Sequence, residues 1–287
     1  MVAAATERYA MTMRSANAAR RRTPPPVGAL LREWRAARRM SQLDLSLAAD
    51  VSTRHLSCVE TGKAQPGRET LFRLADGLAM PLRERNALLL AAGYAPQYPE
   101  NPLVTPALER MREAIELIVA HQEPYPAFVI NRHFDVLMAN PAAQRINDLV
   151  MRGRRSSHTN LLHQVFDPDD FRQVIVNWSE VAQRFLRQLH SDIAAVPTDK
   201  AAQALLDEVL AYPEVPASWR VRDVEFEPSP VMFLIFRSGL GELRFFETIT
   251  TFAGPRDVTL DELRIECAFP ADNQTAEICA RLARDEA

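Results

Sequence analysis

The chain has 287 residues, of which 47% are hydrophobic and 25% are charged, and this composition is typical of a soluble globular protein. Its length predicts two domains, and the absence of any apolar run of about 18 residues excludes a membrane-spanning helix. Cys58, Cys267 and Cys279 are far apart and lack metal-ligand spacing, so we expect no disulfide framework, no metal site and a cytoplasmic protein.

Charge is distributed unevenly along the chain, although its net value is only -3. Residues 1–26 carry five Arg against one Glu, and residues 27–95 carry ten basic against seven acidic residues. Residues 96–287 carry 19 basic against 29 acidic residues. A basic front on an acidic body indicates that the front binds a polyanion.

The predicted elements begin with a basic arm and a helical domain. Residues 1–26 combine an Arg run with a Pro run and little apolar periodicity, which predicts a disordered arm. The alternative is that Met11 or Met13 is the true first residue. In residues 27–94, apolar spacing and capping residues predict five short helices and therefore an all-α domain.

A linker and an α+β domain are predicted next. Residues 95–104 are rich in proline and lack periodicity, which is typical of a linker. Residues 105–278 predict a first helix, two short strands, a helical middle whose longest element covers 171–193, and a meander of three strands. This order favours a small antiparallel sheet covered by helices, followed by a tail at 279–287.

The most informative motif lies in residues 41–63, SQLDLSLAADVSTRHLSCVETGK. One helix begins at Gln42, a turn follows at 49–51, and a second helix begins after Ser52. This spacing is that of a helix-turn-helix, whose second helix enters the DNA major groove and contacts base edges with its first side chains.

Residues 28–92 resemble Xre-type helix-turn-helix domains, the superfamily of the phage repressors and Cro. The runs SQLDLSLAADVS and VETGKAQPGRETLFRLADGL carry the resemblance. It implies a transcription regulator that binds double-stranded operator DNA sequence-specifically. The alternative is a helical bundle that serves only dimerisation.

The resemblance also implies roles for residues of the second helix. Thr53 and Arg54 would enter the groove first, and Arg54 would contact a guanine, since its guanidinium matches the two acceptors of that base. Ser57 and Cys58, one turn later, would contact bases or thymine methyl groups. Ser52 is a DNA-binding candidate, but we favour a role as the N-cap of the helix.

Other residues of the motif would support this contact. Gln42 would reach the DNA backbone or a nearby base, and Lys63 and Arg68 would bind phosphates. At the positions where the family has an ion pair, this chain has Arg35 and Glu60, which we expect to form a structural pair.

Residues 105–275 resemble the ligand-binding domain of MmyB-like regulators, on runs such as TPALERMREAI, YPAFVINRHFDVLMANPAAQRI and GELRFFETITTFAGPRDVTLDELRIECAF. The resemblance implies a PAS-like domain that encloses an apolar pocket for a fatty-acid-like or other small apolar ligand. Pocket candidates are apolar or amide side chains of the predicted strands and helices. They are Phe128, Met138, Asn140, Phe166, Asn177, Trp178, Phe233 and Phe245. For each of them, a place in a solid core is the alternative, and for Asn140 we favour capping the helix that starts at Pro141.

Enzyme motifs are missing from the sequence. It contains no GxGxxG, GxxxxGK, GxSxG, HExxH or CxxC, so we expect neither catalysis nor a cofactor. We expect instead a homodimer that binds two DNA half-sites and responds to a ligand of its second domain. A second domain used only for dimerisation, and an adaptor that has lost DNA binding, remain the alternatives.

Overall fold

A computed structural model describes residues 27–220, 231 and 233–284. The predicted basic arm, residues 1–26, lies outside the described residues, as do the last three positions of the predicted tail.

The first domain consists of five helices, as predicted. They are α1 (Val27–Ala37), α2 (Gln42–Ala48), α3 (Thr53–Glu60), α4 (Arg68–Gly77) and α5 (Leu82–Ala91). Ser41 forms a capping box with Asp44 at the start of α2, and the Ser52 hydroxyl accepts the backbone N–H of His55 at the start of α3. These caps satisfy backbone groups that helix starts leave unpaired. The domain core is built around the fully buried Trp34.

The second domain combines helices with one five-stranded sheet. Its first half contains α6 (Glu109–His121), β1 (Ala127–Ile130), β2 (Val136–Ala139), α7 (Pro141–Val150), α8 (Leu161–Phe166), α9 (Trp178–Ala195) and α10 (Lys200–Leu210). Its second half contains β3 (Phe233–Ser238), β4 (Gly241–Thr250), α11 (Val258–Asp261), β5 (Arg264–Pro270) and α12 (Asn273–Arg284).

The sheet has the strand order β2-β1-β5-β4-β3, and all neighbouring strands are antiparallel. Alternation along β1 assigns side chains to its two faces. Ala127 and Val129 pack with α6 and the segment around α11, whereas Ile130 faces the larger core beneath α7, α8, α9 and α10. The predicted antiparallel sheet covered by helices is thus confirmed.

The long helix predicted over 171–193 is interrupted in the structure. A 3₁₀ turn covers Phe171–Gln173, and α9 begins only at Trp178. Between them the backbone pairs with β3, since the Val176 N–H donates to Ile235 and the Arg237 N–H donates to Val174, both at 2.7 Å. The prediction was wrong because β3 is an edge strand, and its unpaired backbone groups gain partners from this segment.

Two boundaries also differ from the predicted ones. Helix α12 continues to Arg284, past the predicted domain end at residue 278, because Cys279 is buried in the core. Part of the predicted linker is held against both domains. The Asn86 amide donates to the Tyr98 carbonyl at 2.6 Å, and the Val258 N–H donates to the Pro99 carbonyl at 2.9 Å.

Candidate nucleic-acid interface and ligand cavity

The helix predicted to contact DNA, α3, is positioned by a glycine of α1. A Cβ added to Gly28 would lie 2.5 Å from the backbone carbonyl oxygens of Val59 and Glu60. Only glycine therefore permits α1 to lie this close to the carboxyl end of α3. A glycine in the first turn of a helix is the sequence signal that could have predicted this close approach.

A buried carboxylate joins α1, α2 and α3. Arg35 donates from Nε to Glu60 Oε1 at 2.8 Å and from Nη2 to Oε2 at 3.0 Å. The Gln42 amide donates to Glu60 Oε2 at 2.7 Å. Burial disfavours the ionised form of Glu60, but the hydrogen bonds from Arg35 and Gln42 outweigh burial and hold its pKa below the ordinary value. Gln42 thus holds the motif together, in a place where we had predicted a DNA contact.

The outer side of α3 begins with three exposed residues, Ser52, Thr53 and Arg54. Ser52 caps the helix, and the Thr53 hydroxyl lies 2.9 Å from that of Ser46. Within the described part of the chain, Arg54 has no hydrogen-bond or ion-pair partner. Ser57 and Cys58 are half-buried. Arg54 is therefore the side chain of this helix that is freest to reach a base.

The two predicted phosphate contacts lie beyond α3. Lys63 is exposed in the loop before α4. Arg68, at the start of α4, donates to the side-chain oxygen of Gln97 at 2.7 Å and lies 6.0 Å from the ring centre of Tyr94. Arg68 is exposed but hydrogen-bonded to the linker, whereas the Lys63 side chain has no hydrogen-bond or ion-pair partner among the described residues.

A cavity of about 130 Å³ lies in the second domain, between the sheet and helices α7, α8 and α9. Ala139 and Asn147, both exposed, line its outer end. Its wall is mainly apolar, and its polar lining groups are Asn147, Gln164 and Glu247. Five phenylalanines dominate the wall, namely Phe128, Phe171, Phe185, Phe236 and Phe245.

Of the eight predicted pocket residues, only Phe128 and Phe245 line this cavity. Met138 packs on the opposite face of the sheet from the lining residue Val136, although the two are only two positions apart, because a β-bulge shifts the register of β2 between them. Asn140 is buried as a cap, since its Oδ1 accepts the N–H groups of Ala127 and Ala143 at 3.0 and 2.9 Å. These contacts match the capping role that we favoured for Asn140.

The remaining four predicted residues pack elsewhere, bond to backbone groups or are exposed. Phe166 is buried in the core with its ring centre 6.0 Å from that of Trp178, whose Nε1 donates to the Val165 carbonyl at 2.8 Å. Asn177 bonds to the backbone of Phe233 and Ile235. The Phe233 side chain is 44% exposed at the end of edge strand β3. None of the four lines the cavity.

The cavity residues that we missed include Phe171, Phe236 and Val181. Alternation in FLIFRS could have assigned Phe236 to the inner face of β3. Phe171 begins the predicted long helix, which the structure divides. For Val181 the helical stripe indicated burial, but no local signal distinguishes a cavity wall from a solid core.

A charged layer continues from the cavity between α9 and the sheet. Glu247, a lining residue, accepts from Arg184 at 2.6 Å, and Arg264 donates to Asp192 at 2.7 Å. Glu266 lies on the same face, 2% exposed, and its Oε2 has no hydrogen-bond partner among the described residues. Burial, together with the charge of Glu247, raises the pKa of Glu266 to about 8.

The far end of α9 contacts the first domain. Arg38, at the end of α1, donates to the carbonyl oxygens of Ala194 and Ala195 at 3.0 and 2.8 Å. Val196 packs against the core of the first domain. The same helix carries Val181 and Phe185 of the cavity wall, which lie about 20 Å and about 14 Å from Ala194 at the rise of an α-helix.

A second connection between the domains is ionic. Arg83 of α5 makes two hydrogen bonds to Glu262, at 2.7 and 2.9 Å. The Thr198 hydroxyl donates to Glu84 Oε2 at 3.1 Å, just beyond the end of α9. Burial raises the pKa of Glu84, and the Thr198 hydrogen bond only partly offsets that effect. Neither contact had a signal in the sequence, because each joins residues more than 100 positions apart.

Comparison with known families agrees with this architecture. Residues 26–88 match a helix-turn-helix domain, and residues 111–282 match the MmyB-like transcription regulator ligand binding domain. The chain belongs to the MmyB-like transcription regulators. It is thus a DNA-binding transcription regulator with a ligand-binding domain, and both matched families are regulator domains rather than enzymes.

Other comparisons add little to the MmyB-like assignment. No curated protein matches the chain significantly. One solved structure, an RNA-binding Light-Oxygen-Voltage receptor, is 14% identical over 95% of this chain and 67% of its own, with a TM-score of 0.26. Among the described residues, no helix is long and apolar enough to cross a membrane, and no cluster of His, Cys, Asp or Glu is arranged to hold a metal ion.

Proposed function

We propose that this regulator changes its DNA binding when a small apolar molecule occupies the cavity of its second domain. One observation carries the proposal: α9 provides cavity-wall residues near its start and accepts hydrogen bonds from the first domain at its end. A ligand that prefers one position of α9 would thereby favour one position of the DNA-binding domain.

The apolar wall supports a small apolar ligand, the class that also includes fatty-acid-like molecules. Ligand sites are typically concave and apolar with a few polar groups, and the wall of this cavity has that character. A second domain that serves only dimerisation would have no need of such a cavity. DNA binding also favours a cytoplasmic location, where the chromosome is accessible.

Arg54 is the residue through which we propose that α3 recognises its operator. It is exposed and unpaired among the described residues, next to a capped helix start. Ser57, Cys58 and Thr53 would contribute further contacts, and Lys63 and Arg68 would bind phosphates. The assignment follows from the groove geometry of helix-turn-helix proteins, whose first helical residues meet the base edges.

The test is the affinity of Arg54→Ala for a duplex that the wild-type protein selects from a random pool. We expect a loss of about 1–3 kcal/mol in binding free energy and reduced discrimination at one base pair. Arg110→Ala, at an exposed Arg of α6, is the control and should bind as wild type. If both variants bind the selected duplex equally well, α3 does not recognise DNA through Arg54.

We also propose that the protein acts as a homodimer on two half-sites. One short helix-turn-helix offers few contacts, and dimers of such domains bind half-sites that lie about one helical turn apart. The selected duplexes should then be pseudo-palindromic, and native mass spectrometry should detect two chains per duplex. A single chain bound to an asymmetric site would contradict this part of the proposal.

A further inference from the structure

We infer that the cavity ligand is a single-ring aromatic molecule bearing a hydrogen-bond donor, such as a phenol, and not a long-chain carboxylate. This inference rests on the proposed ligand-responsive function and specifies its ligand class. Three features of the cavity carry it: its volume, the chemistry of its wall and the charge of its polar end.

The volume admits one ring. The cavity measures about 130 Å³, and an engineered apolar cavity of about 150 Å³ is known to bind benzene. A ring with one small substituent therefore fills the space. A long acyl chain is several times longer than a single ring, so most of its carbons would lie outside the cavity.

The wall is suited to an aromatic ring. Five phenylalanines line it, and two of them, Phe171 and Phe236, already meet edge to face with ring centres 6.2 Å apart. Aromatic rings prefer such offset or edge-to-face contacts, which stabilise pairs beyond simple burial. A flat ring inserted among these side chains gains contacts that a flexible chain does not.

The polar end offers acceptors and no cation. Glu247 lines the cavity and its carboxylate already accepts from Arg184, which is not a lining residue. Gln164 donates its amide N–H to the His158 carbonyl at 2.8 Å, which leaves its amide oxygen as an acceptor. In the described part of the chain, no Arg, Lys or His side chain lines the cavity.

A second acidic side chain, Glu266, lies on the same face of the sheet as Glu247. It is buried two residues before the lining residue Ala268 and is paired in register with the lining residue Phe128. Its Oε2 lacks a partner among the described residues. A ligand carboxylate would meet the Glu247 carboxylate at a wall without a lining cation, whereas a donor would gain a charge-assisted hydrogen bond to Glu247.

The inference is tested by calorimetric titration of the full-length protein with four probes: p-cresol, toluene, 4-methylbenzoate and dodecanoate. We expect p-cresol to bind roughly tenfold tighter than toluene, because a hydrogen bond to a charged acceptor contributes to affinity. We expect no measurable binding of 4-methylbenzoate or dodecanoate. The same samples are then tested for a change in affinity for the selected duplex.

Variants that fill the cavity test whether the probes bind inside it. Ala143→Leu fills the cavity from α7 and should abolish p-cresol binding, whereas Gln144→Leu, on the exposed side of the same helix, should not alter it. Val181→Phe fills the cavity from α9 and replaces Ala143→Leu if that variant does not fold. Glu247→Gln should reduce the preference for p-cresol over toluene.

Each outcome separates the inference from the proposed function. Binding of 4-methylbenzoate as tight as that of p-cresol overturns the donor assignment. Cavity-dependent binding of dodecanoate without p-cresol overturns the ring assignment but leaves the proposed ligand response intact. Binding of p-cresol without any change in duplex affinity supports the ligand class and contradicts the proposed function. Absence of binding by all four probes overturns the inference.

Discussion

At the scale of single residues, ion pairing and protonation explain how charged side chains are accommodated inside the second domain. Arg184, Arg264, Asp192 and Glu247 form two ion pairs with no net charge. Glu266 is the additional acid, and its burial beside Glu247 raises its pKa to about 8. A neutral Glu266 therefore keeps this layer balanced near neutral pH.

The raised pKa of Glu266 makes stability depend on pH. An unfolded Glu ionises near pH 4.3, so between about pH 4 and 8 the folded chain binds a proton that the unfolded chain has lost. The free energy of unfolding must then fall as pH rises through this window. Glu266→Gln removes the titration, so its denaturation midpoint should fall less than that of wild type between about pH 5 and 8.

The control for this prediction is Glu277→Gln, at an exposed Glu of α12. It should keep the pH dependence of the wild-type protein. The same slope in Glu266→Gln and wild type would show that Glu266 is ionised when folded, with Arg184 and Arg264 outweighing its burial and Glu247.

Helix caps were the part of the site that could be predicted from neighbouring residues. Ser52 and Asn140 were assigned as helix caps, because a cap depends on residues only three positions away. Cavity residues depend on which strands and helices meet. The prediction included Met138 because no local pattern marks the β-bulge that turns this residue away from the cavity, and it omitted Phe236 although the alternation of β3 places that residue on the inner face.

At the scale of elements, the sequence predicted most helices and strands but not the contacts between them. Apolar periodicity together with helix start and stop signals identified all five helices of the first domain, and apolar runs and alternation identified the five strands of the second. The interruption before α9 was missed because edge strand β3 recruits that segment. The close approach of α1 and α3 at Gly28 was missed as well, because a contact between helices has no local pattern.

That approach leads to a prediction for Gly28→Ala. Its Cβ would lie 2.5 Å from two backbone carbonyls of α3, so the two helices must move apart. We expect a loss of about 1–3 kcal/mol in the free energy of unfolding of the first domain, measured by urea denaturation with circular dichroism. DNA affinity should fall as well, because α3 is displaced.

Gly67→Ala is the matched control for Gly28→Ala. An added Cβ at Gly67 meets no atom within 4 Å, so this variant should stay close to wild type in stability. If Gly28→Ala is equally stable, α1 and α3 do not pack this closely in solution.

For the whole molecule, the central feature is the path from cavity to DNA-binding domain. Helix α9 spans it, and Arg38, Arg83 and Glu84 connect the first domain to the second. Domain order and the helix-turn-helix were predictable, since each has its own pattern. The contacts that connect the two domains were not predictable, because they join residues more than 100 positions apart.

The measurement that tests this account most directly is the affinity of the full-length Ala143→Leu variant for the selected duplex, compared with that of Gln144→Leu. Filling the cavity imitates a bound ligand without requiring its identity. We predict a change of about fivefold or more relative to Gln144→Leu, within the usual range of coupling between two sites. Combining Ala143→Leu with Arg38→Ala should reduce that change, since the contact of α9 with the first domain is lost. Equal affinities of the folded Ala143→Leu and Gln144→Leu proteins would contradict a link between cavity and DNA.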